Sequence, residues 1–336
     1  MAELRLGMAG LGSVGVATVR ALQEQQDILT QRAGQRMRLV AVSARDRGRD
    51  RGVDLSGYRW HDDPVSLAEA EDIDVVIELM GGADGAAHAL VTGALRRGKS
   101  VVTANKSLLA THGMELTALV EATGAQLAFE AAVAGGVPII KVLREAMAAN
   151  RVTKIRGILN GTCNDILSRM AREGMEFAPA LRAAQEAGYA EADPSQDIDG
   201  IDPTQKIALL ALLAFGVRVD PDTIPCTGIR HITHADVVQA RRDGLVIKLI
   251  ATATMTGGTI QIGVQPEKLP AHDPFAALNG PANAIELHGD MVGPITLTGA
   301  GAGGRATASA VIADLVDIAL GRRTLPFGVP GVQLRQ

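Results

Sequence analysis

Short apolar runs recur along the first third of the chain, separated by segments with helical periodicity. Residues 4–9 (Leu-Arg-Leu-Gly-Met-Ala) read as a strand that runs into Gly10-Leu11-Gly12-Ser13-Val14-Gly15 and then a helix through about Gln25. Further strand-like runs lie at 38–43, 74–79, 100–103 and 126–130, and an unusually long connection, Glu24 to Met37, precedes the first of these. Strands alternating with helices predict a parallel, doubly wound sheet with ligands at the C-terminal ends of its strands. The glycine turn, Gly81-Gly82 and Asn105-Lys106 all follow strands, so the pattern gathers them on one edge.

After Ala134-Gly135-Gly136-Val137-Pro138 the character changes. A helix at about 139–150 leads to a strand near 154–159, then Asn160-Gly161-Thr162-Cys163-Asn164 and helices near 165–172 and 179–187. Residues 245–264 alternate and are rich in Thr, Ile and Val, as strands of an open sheet would be. Gly299 to Gly304 is a second glycine cluster before a helical run from Thr307 to Leu320, and the tail from Gly321 is irregular. The pattern predicts an α/β chain of two domains: a Rossmann domain over 1–134 and an α+β domain over 135–304, with 321–336 as a tail.

Composition narrows the partners. The chain has 336 residues, 47% of them hydrophobic, enough for two cores. No apolar run reaches the length of a membrane span, and the N-terminus enters a strand directly. A net charge of −4 and 2% aromatic residues give no basic surface or stacking platform for nucleic acid. Cys163 and Cys226 form no metal or redox spacing, so a reducing cytoplasm is the expected location and Cys163 reads as a small buried residue.

Two segments carry chemistry. In the strand–turn–helix setting, Gly10 permits the tight turn, Gly12 lets backbone approach a pyrophosphate, and Gly15 allows close helix–strand packing. The following helix, opening at Ser13 and Val14, offers N–H groups to the anion. A glycine-rich turn that merely joins two elements is the plain alternative. The second segment, Ala184 to Lys206, crowds Glu186, Glu191, Asp193, Asp197, Asp199 and Asp202 ahead of the apolar run Ile207 to Phe215. Asp202-Pro203 predicts a helix start, with Asp202 as N-cap and Gln205 closing a capping box. Lys206 then faces Asp202 across one turn. Held between carboxylates and a helix N-terminus, it is placed for proton transfer; a solvated lysine on an acidic loop is the plain alternative.

The acidic segment resembles the signature of homoserine dehydrogenases: Ala184, Gly188-Tyr189-Ala190, Asp193-Pro194, Asp197-Ile198, Gly200, Asp202 and Lys206 fall in its pattern. The resemblance extends from the glycine turn to Leu320, through Glu78 to Gly82, Thr103 to Lys106, Glu130 to Ile140, Gly157 to Leu167 and Gly299 to Asp314. It implies reversible NAD(P)-dependent interconversion of L-homoserine and L-aspartate 4-semialdehyde, on the route to threonine, isoleucine and methionine. It also implies a substrate and dimerisation domain with an open mixed sheet, a C-terminal helix (about 305–320) that returns to the Rossmann domain, and a homodimer or tetramer. By resemblance Lys206 is the acid–base group and Lys106 a second active-site lysine near nicotinamide and substrate. Glu191, Asp202 and Asp197 would hold the substrate, with Gly82, Thr103, Gly188 and Gly303 bordering the cofactor. Glu130, Val133, Gly135 and Val137 match a monovalent-cation site, usually sodium, whose oxygen-only donors suit a hard cation.

Two departures from the family pattern matter. Many relatives continue into a regulatory ACT domain, which this chain is too short to hold after Leu320, so strong allosteric inhibition by threonine is not expected. The second strand ends in Ser43-Ala44-Arg45-Asp46-Arg47, where arginines suit a 2′-phosphate; NADP(H) is therefore the expected preference, with Arg45 its ligand. NAD(H), with Asp46 on the ribose, is the alternative. Other dehydrogenases of the same layout, or a non-enzymatic NAD(P)-binding sensor, are the competing readings. The sensor leaves Lys206, Asp202 and Glu191 unexplained.

Overall fold

The computed structural model describes residues 3–335, which form two compact units. The first unit holds residues up to Arg144 together with Ala302–Arg335. Its elements are β1 (Glu3–Ala9), α1 (Ser13–Glu24), α2 (Gln26–Ala33), β2 (Arg36–Ser43), β3 (Arg59–Trp60), β4 (Val75–Glu78), α3 (Ala86–Arg96), β5 (Ser100–Thr103), α4 (Lys106–Thr123), β6 (Leu127–Ala128) and the single turn α5 (Ile139–Lys141). The long connection before β2 is therefore filled by α2, which ends at Gly34 in the left-handed region. Its sequence, Gln-Asp-Ile-Leu-Thr-Gln-Arg-Ala, buries only Leu29 and Ala33, too thin an apolar stripe to announce a helix.

The strands pair in the order β3-β2-β1-β4-β5-β6, all parallel. This is the doubly wound arrangement, and the order reverses between β1 and β4, the place where such sheets bind ligands. Leu6, Met8, Val75 and Ile77 are buried in the sheet's core with Val19 and Leu22 of α1. Ala310, Val311, Leu315 and Ile318 of the C-terminal helix Gly304–Ala319 complete that core. Close packing there needs glycine, since a Cβ on Gly304 would lie 2.7 Å from the Ser13 carbonyl oxygen. The unit runs past the expected boundary at 134 because the chain at 140–141 is tied back to Glu130 by two backbone hydrogen bonds. The helix expected over 139–150 is only α5 and a π-type turn, Val142–Ala146.

The second unit covers Glu145–Gly301. Its elements are β7 (Val152–Ile158), α6 (Gly161–Glu173), α7 (Phe177–Glu186), α8 (Ser195–Ile198), α9 (Ile201–Phe215), α10 (His234–Arg242), β8 (Leu245–Thr256), β9 (Thr259–Pro270), β10 (Ala282–Gly289) and β11 (Gly293–Ala300). Its sheet has the order β11-β10-β7-β8-β9 and every pair is antiparallel. Where the resemblance implies a mixed sheet, the five strands pair only antiparallel, and among the described residues the parallel element is a single isolated bridge from Cys226 to Val264 on β9. Connectivity fixes two of the antiparallel pairs: β8–β9 and β10–β11 are joined by tight turns at Gly257-Gly258 and Asp290–Val292, which only antiparallel neighbours allow. Among the described residues no helix is long and apolar enough to cross a membrane.

Candidate active site

In the first unit three turns at the strands' C-terminal ends form a cradle. Gly10 has φ +102°, and a Cβ there would lie 2.4 Å from the Leu79 carbonyl oxygen; one on Gly15 would lie 2.1 Å from the Gly10 carbonyl oxygen. Gly12 instead faces open space. Two glycines are thus demanded by backbone, and the middle one leaves room for a ligand. Helix α1 has Gly12 as N-cap without a side-chain capping bond, so its first N–H groups, at Ser13 and Val14, are available to an anion.

The loop after β4 is shaped by Glu78, which is fully buried. One carboxylate oxygen accepts from the backbone N–H of Met80 (2.7 Å) and Gly81 (3.1 Å), and the other from the Thr103 hydroxyl (2.6 Å). Asn105 caps α4 by accepting from the Leu108 N–H, while its amide donates to the Gly82 carbonyl oxygen at 2.7 Å. Gly82, Thr103 and half-buried Lys106, the first residue of α4, are thereby held on the same edge as the glycine turn. At the end of β2, Ser43 is buried and Arg45 exposed. Asp46 is occupied by its own turn, accepting from the N–H of Gly48 and Arg49. Arg51 bonds the Leu11 carbonyl oxygen (3.3 Å), and Arg47 and Arg51 lie 5.8 and 5.7 Å from the Trp60 ring centre.

The second unit holds an acid–base cluster. Helix α9 starts at Ile201 with Gly200 as N-cap in the left-handed region, so Asp202 lies in the first turn and does not cap the helix. The capping box predicted for Asp202 and Gln205 does not form, because the Asp202 carboxylate is engaged elsewhere. It accepts from Lys206 Nζ at 2.7 Å and from the Asn160 amide at 2.9 Å. Lys206 is 8% exposed, and its Nζ also donates to the Leu159 carbonyl oxygen at 2.8 Å.

The Asn160 amide donates as well to Asp197 (2.7 Å), while its own oxygen caps α6 through the Cys163 N–H. One buried amide thus bridges the two carboxylates beside the lysine. Cys163 is fully buried with its thiol donating to the Asp197 carbonyl oxygen, and burial pushes its pKa up, away from nucleophilic use. Glu191 is exposed, and its backbone carbonyl accepts from Gln185. Gly188 in this unit and Gly303 in the first both have positive φ and open space where a Cβ would be.

Glu130, Val133, Gly135 and Val137 lie on one buried turn of the first unit; Gly135 packs so tightly that a Cβ would meet the Thr307 hydroxyl at 2.5 Å. The Glu130 carboxylate accepts from the backbone N–H of Ile140 (2.9 Å) and Lys141 (2.7 Å). Its own N–H donates to buried Asp314, which pairs with Lys141 at 3.3 Å. Burial, helped by the neighbouring Asp314 charge, raises the Glu130 pKa to about 7. Ala134, inside this turn, has φ +48°.

Sequence reasoning did not single out Asn160, Glu78 or Asp314 as individual residues. Each left a signal: an Asn one residue before a helix, an acid closing an apolar strand, and a lone acid in the apolar stretch Ala310 to Leu315.

The family model for homoserine dehydrogenase matches residues 138–316, and that for the homoserine dehydrogenase NAD binding domain matches 10–130. The chain is 40% identical over 331 residues to homoserine dehydrogenase of Bacillus subtilis (98% of this chain, 76% of the relative). It is 42% identical over 319 residues to that of Neisseria gonorrhoeae (95% and 73%). The solved homoserine dehydrogenase from Thiobacillus denitrificans superposes with a TM-score of 0.93 at 40% identity, covering 100% of this chain and 79% of that one. A hyperthermophilic archaeal homoserine dehydrogenase in complex with NADPH gives 0.81 at 28% identity, covering 96% and 100%. With the glycine cradle in one unit and the Lys206 cluster in the other, the chain belongs to the homoserine dehydrogenase family.

Proposed function

We propose that Lys206 is the acid–base group of the homoserine dehydrogenase reaction, with Asp202 and Asp197 binding the substrate ammonium and NADP(H) the preferred dinucleotide. The observation that carries this is the buried Lys206 ammonium, held by Asp202 at 2.7 Å and by the Leu159 carbonyl at 2.8 Å. An ammonium has three N–H bonds, and two are thereby placed, so the third can be offered to a substrate oxygen. In the reducing direction it polarises the aldehyde of aspartate 4-semialdehyde and gives its proton to the oxygen as the C–H bond forms. In the oxidising direction the neutral amine takes the hydroxyl proton of homoserine. When bound, the dinucleotide supplies or accepts the hydride.

The glycine cradle supports pyrophosphate binding at Ser13 and Val14, with Gly82, Thr103 and Lys106 lining the same edge. Gly188 and Gly303 are read as close-approach positions. Exposed Glu191 is read as a further carboxylate for the ammonium.

Glu130 and the turn through Val133, Gly135 and Val137 fit a structural sodium ion. The donors are oxygen only, and the carboxylate is buried beside a second acid, a setting that a small cation relieves.

Lys206→Ala tests the central assignment. We expect kcat to fall by about 10²–10⁴-fold while dinucleotide affinity, measured by fluorescence titration, stays within about twofold. Turnover near wild type would overturn it.

A further inference from the structure

Helices α3 and α4 carry a side-chain cluster on the first unit that the dehydrogenase reading does not use. His88 lies in the first turn of α3, and His112 and Glu115 sit one turn apart on α4. His88 Nε2 is 3.0 Å from Glu115 Oε2, and His112 Nδ1 is 3.6 Å from the same oxygen. Arg96 stands 4.0 Å from the other carboxylate oxygen of Glu115. On its far side, His112 Nε2 is 2.8 Å from Asp84 Oδ1.

These contacts constrain the proton positions. If Nε2 of His112 donates to Asp84, its Nδ1 presents a lone pair toward a carboxylate oxygen. Two acceptors then face a common point, an arrangement that calls for a cation between them. A carboxylate on the outer nitrogen of an imidazole is also the partner that fixes tautomer and ring orientation in metal-bound histidines.

The ligand atoms of His88, His112 and Glu115 all lie within 4.8 Å of one another. The 3.0 and 3.6 Å separations bracket the edge of about 3.3 Å in a tetrahedron with metal–ligand bonds of about 2.0–2.1 Å. The two rings are stacked, with centres 4.0 Å apart and planes at 29°. A modest rotation about χ2, a broad torsion, would aim both lone pairs at one point, and it must be small enough at His112 to keep the Asp84 contact.

We propose that His88 Nε2, His112 Nδ1 and the Glu115 carboxylate form a binding site for one divalent cation of the zinc class, with Asp84 as the outer carboxylate. Two imidazoles and one carboxylate suit Zn2+, Co2+ or Ni2+ better than Mg2+ or Ca2+, which favour oxygen donors. Both histidines bind as neutral imidazoles, with the His88 proton carried on Nδ1. The ion clips α3 to α4 and, through Asp84, fixes the turn that leads out of the β4 loop.

The test uses the full chain, stripped with chelator and titrated with Zn2+ by calorimetry and with Co2+ by visible absorption. We expect one ion per chain with Kd of about 10 μM or tighter, and the d–d band of four-coordinate Co2+. The affinity should fall more than about tenfold in His88→Gln and in His112→Gln, and about tenfold in Asp84→Asn. Zn2+ should raise the Tm of the wild type by a few degrees and leave that of the histidine variants unchanged. The wild-type Co2+ spectrum reads the site even if a variant folds poorly. No binding at about 100 μM Zn2+, or binding undiminished in both folded histidine variants, overturns the proposal.

Discussion

Asn160 shows how much one side chain can organise. Its oxygen caps α6 while its amide spans Asp197 and Asp202, each within 2.9 Å. Two carboxylates near one lysine repel each other, and a neutral donor that bonds both offsets part of that repulsion. Asn160→Asp separates the two roles, because Asp caps a helix as well as Asn but brings a third carboxylate where the amide was. The cap is kept, but two amide hydrogen bonds at a buried position become carboxylate–carboxylate repulsion, so the variant's Tm should fall by several degrees. Its kcat/KM should fall by about 10–100-fold, through loss of charge-assisted bonds worth about 1.5–3 kcal/mol each. A kcat/KM within twofold of wild type would return Asn160 to a capping role alone.

Among the elements, the loop after β2 is where the proposed cofactor preference is tested. Arg45 is exposed beside buried Ser43, whereas Arg51 is turned back onto the glycine turn and onto Trp60. Asp46, the acid that would hold an NAD ribose, is spent on its own turn. A guanidinium bonds a 2′-phosphate with charge assistance, a contact worth about 1–3 kcal/mol or roughly 5–150-fold in kcat/KM. Arg45→Ala should therefore reduce NADP(H) use by that factor and leave NAD(H) use within about twofold. Steady-state assays with both dinucleotides decide it: an equal loss on both, or a wild type that prefers NAD(H), removes the phosphate contact from Arg45.

At the scale of the molecule, the first unit is closed by a buried acidic knot. Glu130 binds the backbone at Ile140 and Lys141, and Asp314 on the C-terminal helix holds the Glu130 N–H. Because burial raises the Glu130 pKa from 4.5 to about 7, the folded chain binds more protons than the unfolded chain between those values. Stability without a cation is then highest below the lower value and declines as pH rises through the upper one, by about 3 kcal/mol in total. A sodium ion bound at the carboxylate, as proposed, would cancel that loss. In choline chloride the Tm should drop between about pH 5.5 and pH 8, and sodium chloride should restore it mainly at the higher pH. Glu130→Gln should lose the sodium response and keep only the smaller pH-dependent loss that buried Asp314, whose pKa burial also raises, contributes. Parallel Tm curves in the two salts would remove the cation from this turn.

Much of this protein is written locally. The strands of the Rossmann sheet, the glycine turn and the facing of Lys206 by Asp202 follow from patterns that fit within a single turn or strand. Glycine at 10 and 15 is demanded by backbone a few residues away or on the adjacent strand. Helix α2 is not legible in the sequence because its apolar stripe is too thin, and α9 does not start at Asp202 because that carboxylate has a better partner than the helix end. That partner, Asn160, lies 42 residues earlier in the chain, just as Thr103 meets Glu78 from 25 residues away. Local sequence sets dihedral preferences and which face is apolar. Which buried polar group meets which is decided by the packing of distant elements, since each such group must find a hydrogen-bond partner once water is excluded.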